Sequence, residues 1–137
     1  MRKETNVPEL FNEVLNDPAR NWSRGPAASP EAIAQLKRDA GVNLPDDYLA
    51  FLLLSNGGEG KFGMQPGWFQ LWPADKVLEY HYGYEVPQYL PGFFAFASSG
   101  GGDLFVFDMR KGEPYAVQSI IGSGDRDVGI GICYPYR

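Results

Sequence analysis

Apolar positions recur at helical spacing in the first part of the chain and fall into short strand-like runs in the second. In Val7-Pro8-Glu9-Leu10-Phe11-Asn12-Glu13-Val14-Leu15, residues Leu10, Phe11, Val14 and Leu15 share one helical face. Asn6 can cap this segment. Pro8 sits in the first turn, where its missing N–H is no loss, and Asp17-Pro18 ends the helix. Residues 21–28 read as a Gly-, Pro- and Ser-bearing loop from which Trp22 packs back onto the domain. Ser29-Pro30-Glu31 opens a second helix with a cap, a proline and a first-turn carboxylate. Ile33, Leu36 and Ala40 form its apolar stripe, and Gly41 supplies a left-handed stop. A third helix starts at Pro45, carries Asp46 and Asp47 in its first turn, and turns Tyr48, Phe51, Leu52 and Ser55 to one side before Asn56-Gly57-Gly58 ends it.

The later pattern is extended. Residues 68–72 read as a strand, and 74–80 as a short helix with Val77, Leu78 and Tyr80 turned inward. The aromatic and polar stretch 81–88 reads as loop. Residues 93–98 and 104–109 are strands flanking the turn Ser99-Gly100-Gly101-Gly102-Asp103. After a second turn at 110–113, residues 114–121 form a third strand with proline confined to its start. A loop at 122–129 and a short strand within 130–134 follow. Helices first and hairpin-linked strands afterwards predict an α+β fold, with N-terminal helices packed against a mainly antiparallel β-sheet in a single domain.

Composition narrows the function classes. The chain has 137 residues, 44% of them hydrophobic and 15% aromatic, which suffices for one core. A net charge of -5 opposes binding to phosphate backbones, so no direct nucleic-acid contact is expected, and it favours a basic protein partner. Cys133 is the only cysteine, so no internal disulfide can form. The N-terminus is polar, no apolar signal core follows it, and no apolar run is long enough to span a bilayer. These features lead to the expectation of a cytoplasmic protein with no membrane association.

Two segments carry a resemblance. Leu44-Pro45-x-x-Tyr48-x-x-Phe51-Leu52-x-x-Ser55-Asn56-Gly57-Gly58 resembles the central signature of the Smi1/Knr4 (SUKH) superfamily. Leu90-Pro91-Gly92, Phe94-Ala95-Phe96-Ala97 and Gly101-Gly102-Asp103-x-Phe105-x-Phe107-Asp108 are similar to that family's second block, in the same order and spacing. The likeness covers about residues 29 to 121, within a domain spanning 29–137 to which residues 1–28 add a helix and a loop. The resemblance implies helices on one side of an antiparallel sheet. It also implies a non-catalytic protein-binding role. Bacterial members are mostly immunity proteins that neutralise toxins, many of them nucleases, while fungal members are regulatory adaptors. The lack of a long disordered flank resembles the bacterial type. The partner implied is a toxin domain of the polymorphic or contact-dependent kind, with a basic nuclease among the candidates. The alternative is an adaptor that holds its partner without inhibiting it.

Candidate chemistry adds little to this. Gly100-Gly101-Gly102-Asp103 lacks the helix and lysine of a phosphate loop and reads as a turn; a small ligand beneath that turn is a third alternative. His81 is the only histidine, which argues against a histidine metal cluster, and its spacing from Cys133 does not support a nucleophile pair. Cys133 reads as a small buried residue. Asp46, Asp47 and Asp108 are accounted for by helix start and strand end. No catalytic residue, metal site or cofactor is expected. Trp68, Trp72, Tyr80, Tyr82, Tyr84 and Tyr89 divide between core and interface. Of these, Trp68, Tyr82 and Tyr84 are the expected anchors of a partner surface, with Glu79, Glu85, Asp103, Asp125 and Asp127 as its acidic contacts.

Overall fold

A computed structural model describes residues 5–61, 67–112, 115–121 and 133–134. The first helix, α1 (Val7–Asn16), follows a two-residue strand, β1 (Thr5–Asn6), in which Asn6 pairs with Ala116. It buries Val7, Leu10, Phe11 and Val14, while Leu15, expected on the same face, is half exposed. A single 3-10 turn at Pro18–Arg20 is capped by the Asp17 carboxylate, which accepts the Ala19 N–H at 3.0 Å, and leads to β2 (Ser23–Arg24). The second helix, α2 (Pro30–Ala40), has the expected caps. Ser29 Oγ accepts from Ala32 N at 3.1 Å, and Gly41 adopts φ 73°, a conformation that costs glycine little. The third helix, α3 (Asp46–Leu52), buries Tyr48, Leu49, Phe51 and Leu52.

The helix stop read at 56–58 is also a strand start. Helix α3 ends at Leu52, and β3 (Gly58–Lys61) begins at Gly58 and pairs with β4 (Trp68–Leu71). Residues 81–88, expected as loop, are mostly helical: α4 (Val77–Gly83) and α5 (Val86–Tyr89) meet at Glu85, which takes a left-handed φ of 59°. The helix read at 74–80 is thus shifted toward the C-terminus. Strands β5 (Phe93–Ser98), β6 (Asp103–Asp108) and β7 (Ala116–Ile121) agree with the expected hairpins, and β8 (Cys133–Tyr134) pairs with β7. The expected loop at 122–129 and the strand-opening Pro114 lie outside the described residues.

All pairings are antiparallel, in the order β1-β7-β6-β5-β4-β3-β2, with β8 also on β7. The fold is therefore α+β. The N-terminal segment reaches both ends of this order, through β1 at one edge and β2 at the other. Directly paired residues share a face, so Phe94 and Phe107 lie on one side with Phe105 and Val117. Helices α1 and α3 cover this side. Tyr48 meets Phe96 and Phe107 edge-on at 5.7 and 5.2 Å, Phe11 lies 4.9 Å from Phe51, and Phe96 stacks on Phe107 at 3.9 Å. Phe96 gains this contact at a register shift between Ala95 and Ala97. Each such ring pair adds about 0.5–1.5 kcal/mol beyond burial of its area.

Candidate protein-binding surface

The segment Ser55-Asn56-Gly57-Gly58 is a junction of chain segments. Buried Ser55 Oγ accepts the Trp22 indole N–H at 3.2 Å and the Gly25 N–H at 3.1 Å, and donates to Gly57 O at 2.6 Å. Asn56 Oδ1 accepts from Ala74 N at 2.7 Å, which fixes the approach to α4. At Gly58 a Cβ would come 2.6 Å from Ser23 O and 2.8 Å from the Trp22 ring. These contacts account for serine, asparagine and glycine here by folding alone. The turn between β5 and β6 is similarly self-contained, because Ser99 Oγ accepts from Gly101 N at 3.0 Å and Asp103 N at 3.3 Å.

The surface left open by this frame is the outer side of α4. Val77 and His81, one helical turn apart, face the sheet. The His81 ring stacks on Phe94 at 4.2 Å, and its Nδ1 accepts the Ala95 N–H at 3.1 Å. That bond places the ring proton of the neutral imidazole on Nε2, and burial pushes the imidazole down to about 4. Tyr80, Tyr82 and Tyr84 are 36%, 52% and 44% exposed, with Tyr80 and Tyr84 on one flank of the helix and Tyr82, roughly half a turn from both, on the other. Buried Trp72 supports two of them: Tyr80 meets its ring edge-on at 5.1 Å and 73°, and Tyr84 lies nearly parallel to it at 6.2 Å and 7°. Glu79, Tyr80, Gly83 and Tyr84 line a shallow recess of about 310 Å³. Glu79 forms an exposed ion pair with Lys76 at 3.5 Å. A second recess of about 240 Å³ lies between α1 and α3, lined by exposed Leu15 and Leu54, by Phe11 and Phe51, and by the polar Asn12 and Asp47.

The residues expected at a partner surface separate into groups. Glu79, Tyr82, Tyr84 and half-buried Glu85 belong to α4 and its junction with α5. Trp68 lies on the other face of the sheet, because side chains alternate along β4 and its neighbour Phe69 faces the helices. There its indole N–H donates to Glu59 Oε1 at 3.1 Å, and Gln70 donates to the same oxygen at 2.8 Å; the Gln70 bond first, and then the Trp68 bond, hold the half-buried Glu59 carboxyl below its ordinary value. Asp103 is half-buried at the glycine turn, roughly 14 Å along β6 from the Phe107 level at which Phe94 and His81 sit. Partial burial raises its carboxyl above the usual range. Asp125 and Asp127 lie outside the described residues, as does the Cys133 side chain.

Sequence reasoning missed Tyr80 as a surface residue and Trp72 as its support. The signal was present as two i, i+4 pairs on adjacent flanks of one helix, Val77 with His81 and Tyr80 with Tyr84. Among the described residues there is no group of three His, Cys, Asp or Glu side chains that could hold a metal ion. The glycine turn lines neither recess described above. No helix among the described residues is long and apolar enough to cross a membrane.

Residues 27–128, more than half of the chain, match the SMI1 / KNR4 family (SUKH-1). No curated protein matches the chain at a significant level. The matched span takes in both motif blocks, the junction at Ser55 and all of α4 and α5.

Proposed function

The chain belongs to the SMI1/KNR4 family (SUKH-1), and on that premise we propose that it is a non-catalytic protein-binding domain. In this reading it is a cytoplasmic immunity protein that binds and neutralises a cognate polymorphic or contact-dependent toxin. The observation that carries the reading is the exposed surface of α4, where Tyr80 and Tyr84 stand on buried Trp72 beside Glu79, and exposed Tyr82 packs against His81 on the other flank. Tyrosines supply large contact area at small entropic cost, because each has only two side-chain torsions to fix. A rigid support reduces the ordering cost of binding further. The acidic net charge of -5 favours approach of a basic toxin domain, such as a nuclease.

The experiment is co-expression with the product of the adjacent open reading frame. A stable complex that restores growth and silences the toxin in vitro is the expected result. The paired substitution Tyr82→Ala and Tyr84→Ala should weaken the complex by at least tenfold, about 1.4 kcal/mol. A neighbour that is no toxin, together with failure to rescue cells from any encoded toxin, refutes the proposal. A partner that keeps its full activity inside a stable complex points to an adaptor instead.

A further inference from the structure

We propose that the recess on α4 receives one cationic side chain, Lys or Arg, of the protein partner. The inference rests on the reading of α4 as the partner-facing surface and specifies what that surface recognises. Tyr84 lies within 7° of parallel to the Trp72 ring, whereas Tyr80 stands at 73° to it, so the two tyrosines that line the recess have roughly perpendicular ring planes. Aromatic faces carry negative potential, and two faces set at an angle attract a cation between them. Gly83 lines the recess without a side chain, and a Cβ there would meet nothing within 4 Å, so a larger side chain can be introduced at this position without a clash.

Glu79 completes the chemistry with a carboxylate on the lining. Its ion pair with Lys76 is exposed and long at 3.5 Å, so an incoming guanidinium with better geometry can replace it. An anion would face both this carboxylate and the overall negative charge. An apolar side chain would offer the carboxylate nothing beyond its long, exposed pair with Lys76. A volume of about 310 Å³ lies at the small end of the range for ligand pockets, which suits a single side chain better than a cofactor.

The test is a titration of the intact chain, at constant ionic strength, followed by backbone amide NMR shifts. The probes are N-acetyl-arginine methylamide, N-acetyl-lysine methylamide, tetramethylammonium chloride and, as a neutral analogue of guanidinium, urea. The expected result is saturable shifts centred on residues 79–84 with the arginine and lysine probes, with Kd on the order of millimolar, and no saturation with urea. Glu79→Gln and Tyr84→Ala should each weaken binding about threefold to fivefold. Gly83→Leu, which fills the recess and favours the helix, should abolish binding while the chain stays folded. Absence of saturable shifts on α4, saturation by urea at equal strength, or unchanged binding in Gly83→Leu overturns the inference. Tetramethylammonium bound more than about tenfold tighter than either amino-acid probe overturns it as well, because the site would then select a free or methylated ammonium. A chain that neutralises its toxin yet binds no probe refutes this inference alone. A chain that binds the arginine probe but neutralises no toxin refutes the proposed function alone.

Discussion

Replacing Ser55 by alanine should be among the most damaging single changes available at a small side chain. The hydroxyl is 1% exposed and makes three hydrogen bonds, to the Trp22 indole, Gly25 N and Gly57 O. Each neutral bond of this kind contributes about 1 kcal/mol net. Loss of the hydroxyl does not orphan all three partners, because Gly25 N also donates to Gly57 O at 3.3 Å and the two retain each other. The Trp22 indole N–H is then the group without a partner, at a further cost of about 1 kcal/mol for its part-buried position. The sum is a destabilisation of about 3–4 kcal/mol, a large share of the 5–15 kcal/mol typical of a domain. It should appear in equilibrium urea unfolding as a lower midpoint at unchanged slope. Trp22→Phe removes only one of the bonds and keeps the ring contacts to Phe51 and Phe69, so it should cost about 1–2 kcal/mol. In the double variant the losses should fall short of additivity by about 1–2 kcal/mol, because both changes delete the same bond. A loss below about 1 kcal/mol for Ser55→Ala would refute the assignment of this residue as the clasp between the N-terminal segment and the α3–β3 connection.

Three further outcomes follow from the same structure. The Tyr48 hydroxyl is fully buried with no hydrogen-bond partner among the described residues, and burial pushes its phenol well above the ordinary value. Tyr48→Phe should therefore be neutral or stabilising by about 1 kcal/mol in urea unfolding, and a loss of more than about 1 kcal/mol would reveal a polar partner for the hydroxyl. His81 has a folded-state pKa of about 4 against an ordinary 6.5. Between those values the unfolded chain takes up a proton that the folded chain refuses, so stability is full above pH 6.5 and falls as pH drops toward 4, by roughly 2–3 kcal/mol. His81→Gln should flatten that part of the stability profile, and an unchanged profile would count against burial as the cause. Gly58→Ala should cost at least ~3 kcal/mol, because φ is 137° and the new Cβ would lie 2.6 Å from a backbone oxygen of β2. Gly41→Ala, at φ 73° with nothing within 4 Å, should cost only about 1 kcal/mol, and thermal unfolding of the two variants measures the contrast.

Elements with local causes were legible in the chain. Helix α2 is bounded by Ser29, Pro30 and Gly41, whose capping and stop geometry depend on a few adjacent residues, and its limits came out as read. The β5–β6 hairpin follows from two apolar runs around three glycines, and the α+β arrangement follows from the order of elements. The motif blocks identified the family on the same local grounds, because their residues are those that caps, turns and core contacts require.

Other features depended on partners distant in sequence. Nothing in Gly58-Glu59-Gly60-Lys61 favours a strand; it becomes one by pairing with β4 on one side and β2 on the other. Residues 81–88 carry a loop-like composition, yet Val77, His81 and Val86 are buried in a core that only the folded chain creates, and this burial makes 77–89 largely helical. The same packing decided which of these side chains are exposed together. From composition alone the aromatic and acidic stretch was available to a partner, with Trp68 and Asp103 on equal terms with Tyr82 and Tyr84. Helix phase on α4 turned Val77 and His81 inward and left Tyr80 and Tyr84 partly exposed on the adjacent flank, against Trp72, and strand alternation turned Trp68 to the other side of the sheet. The chain by itself therefore determined the elements and the family, through interactions a few residues long. Which side chains face outward together was decided only when α4 docked on β5, because that phase is set by contacts between residues far apart in sequence.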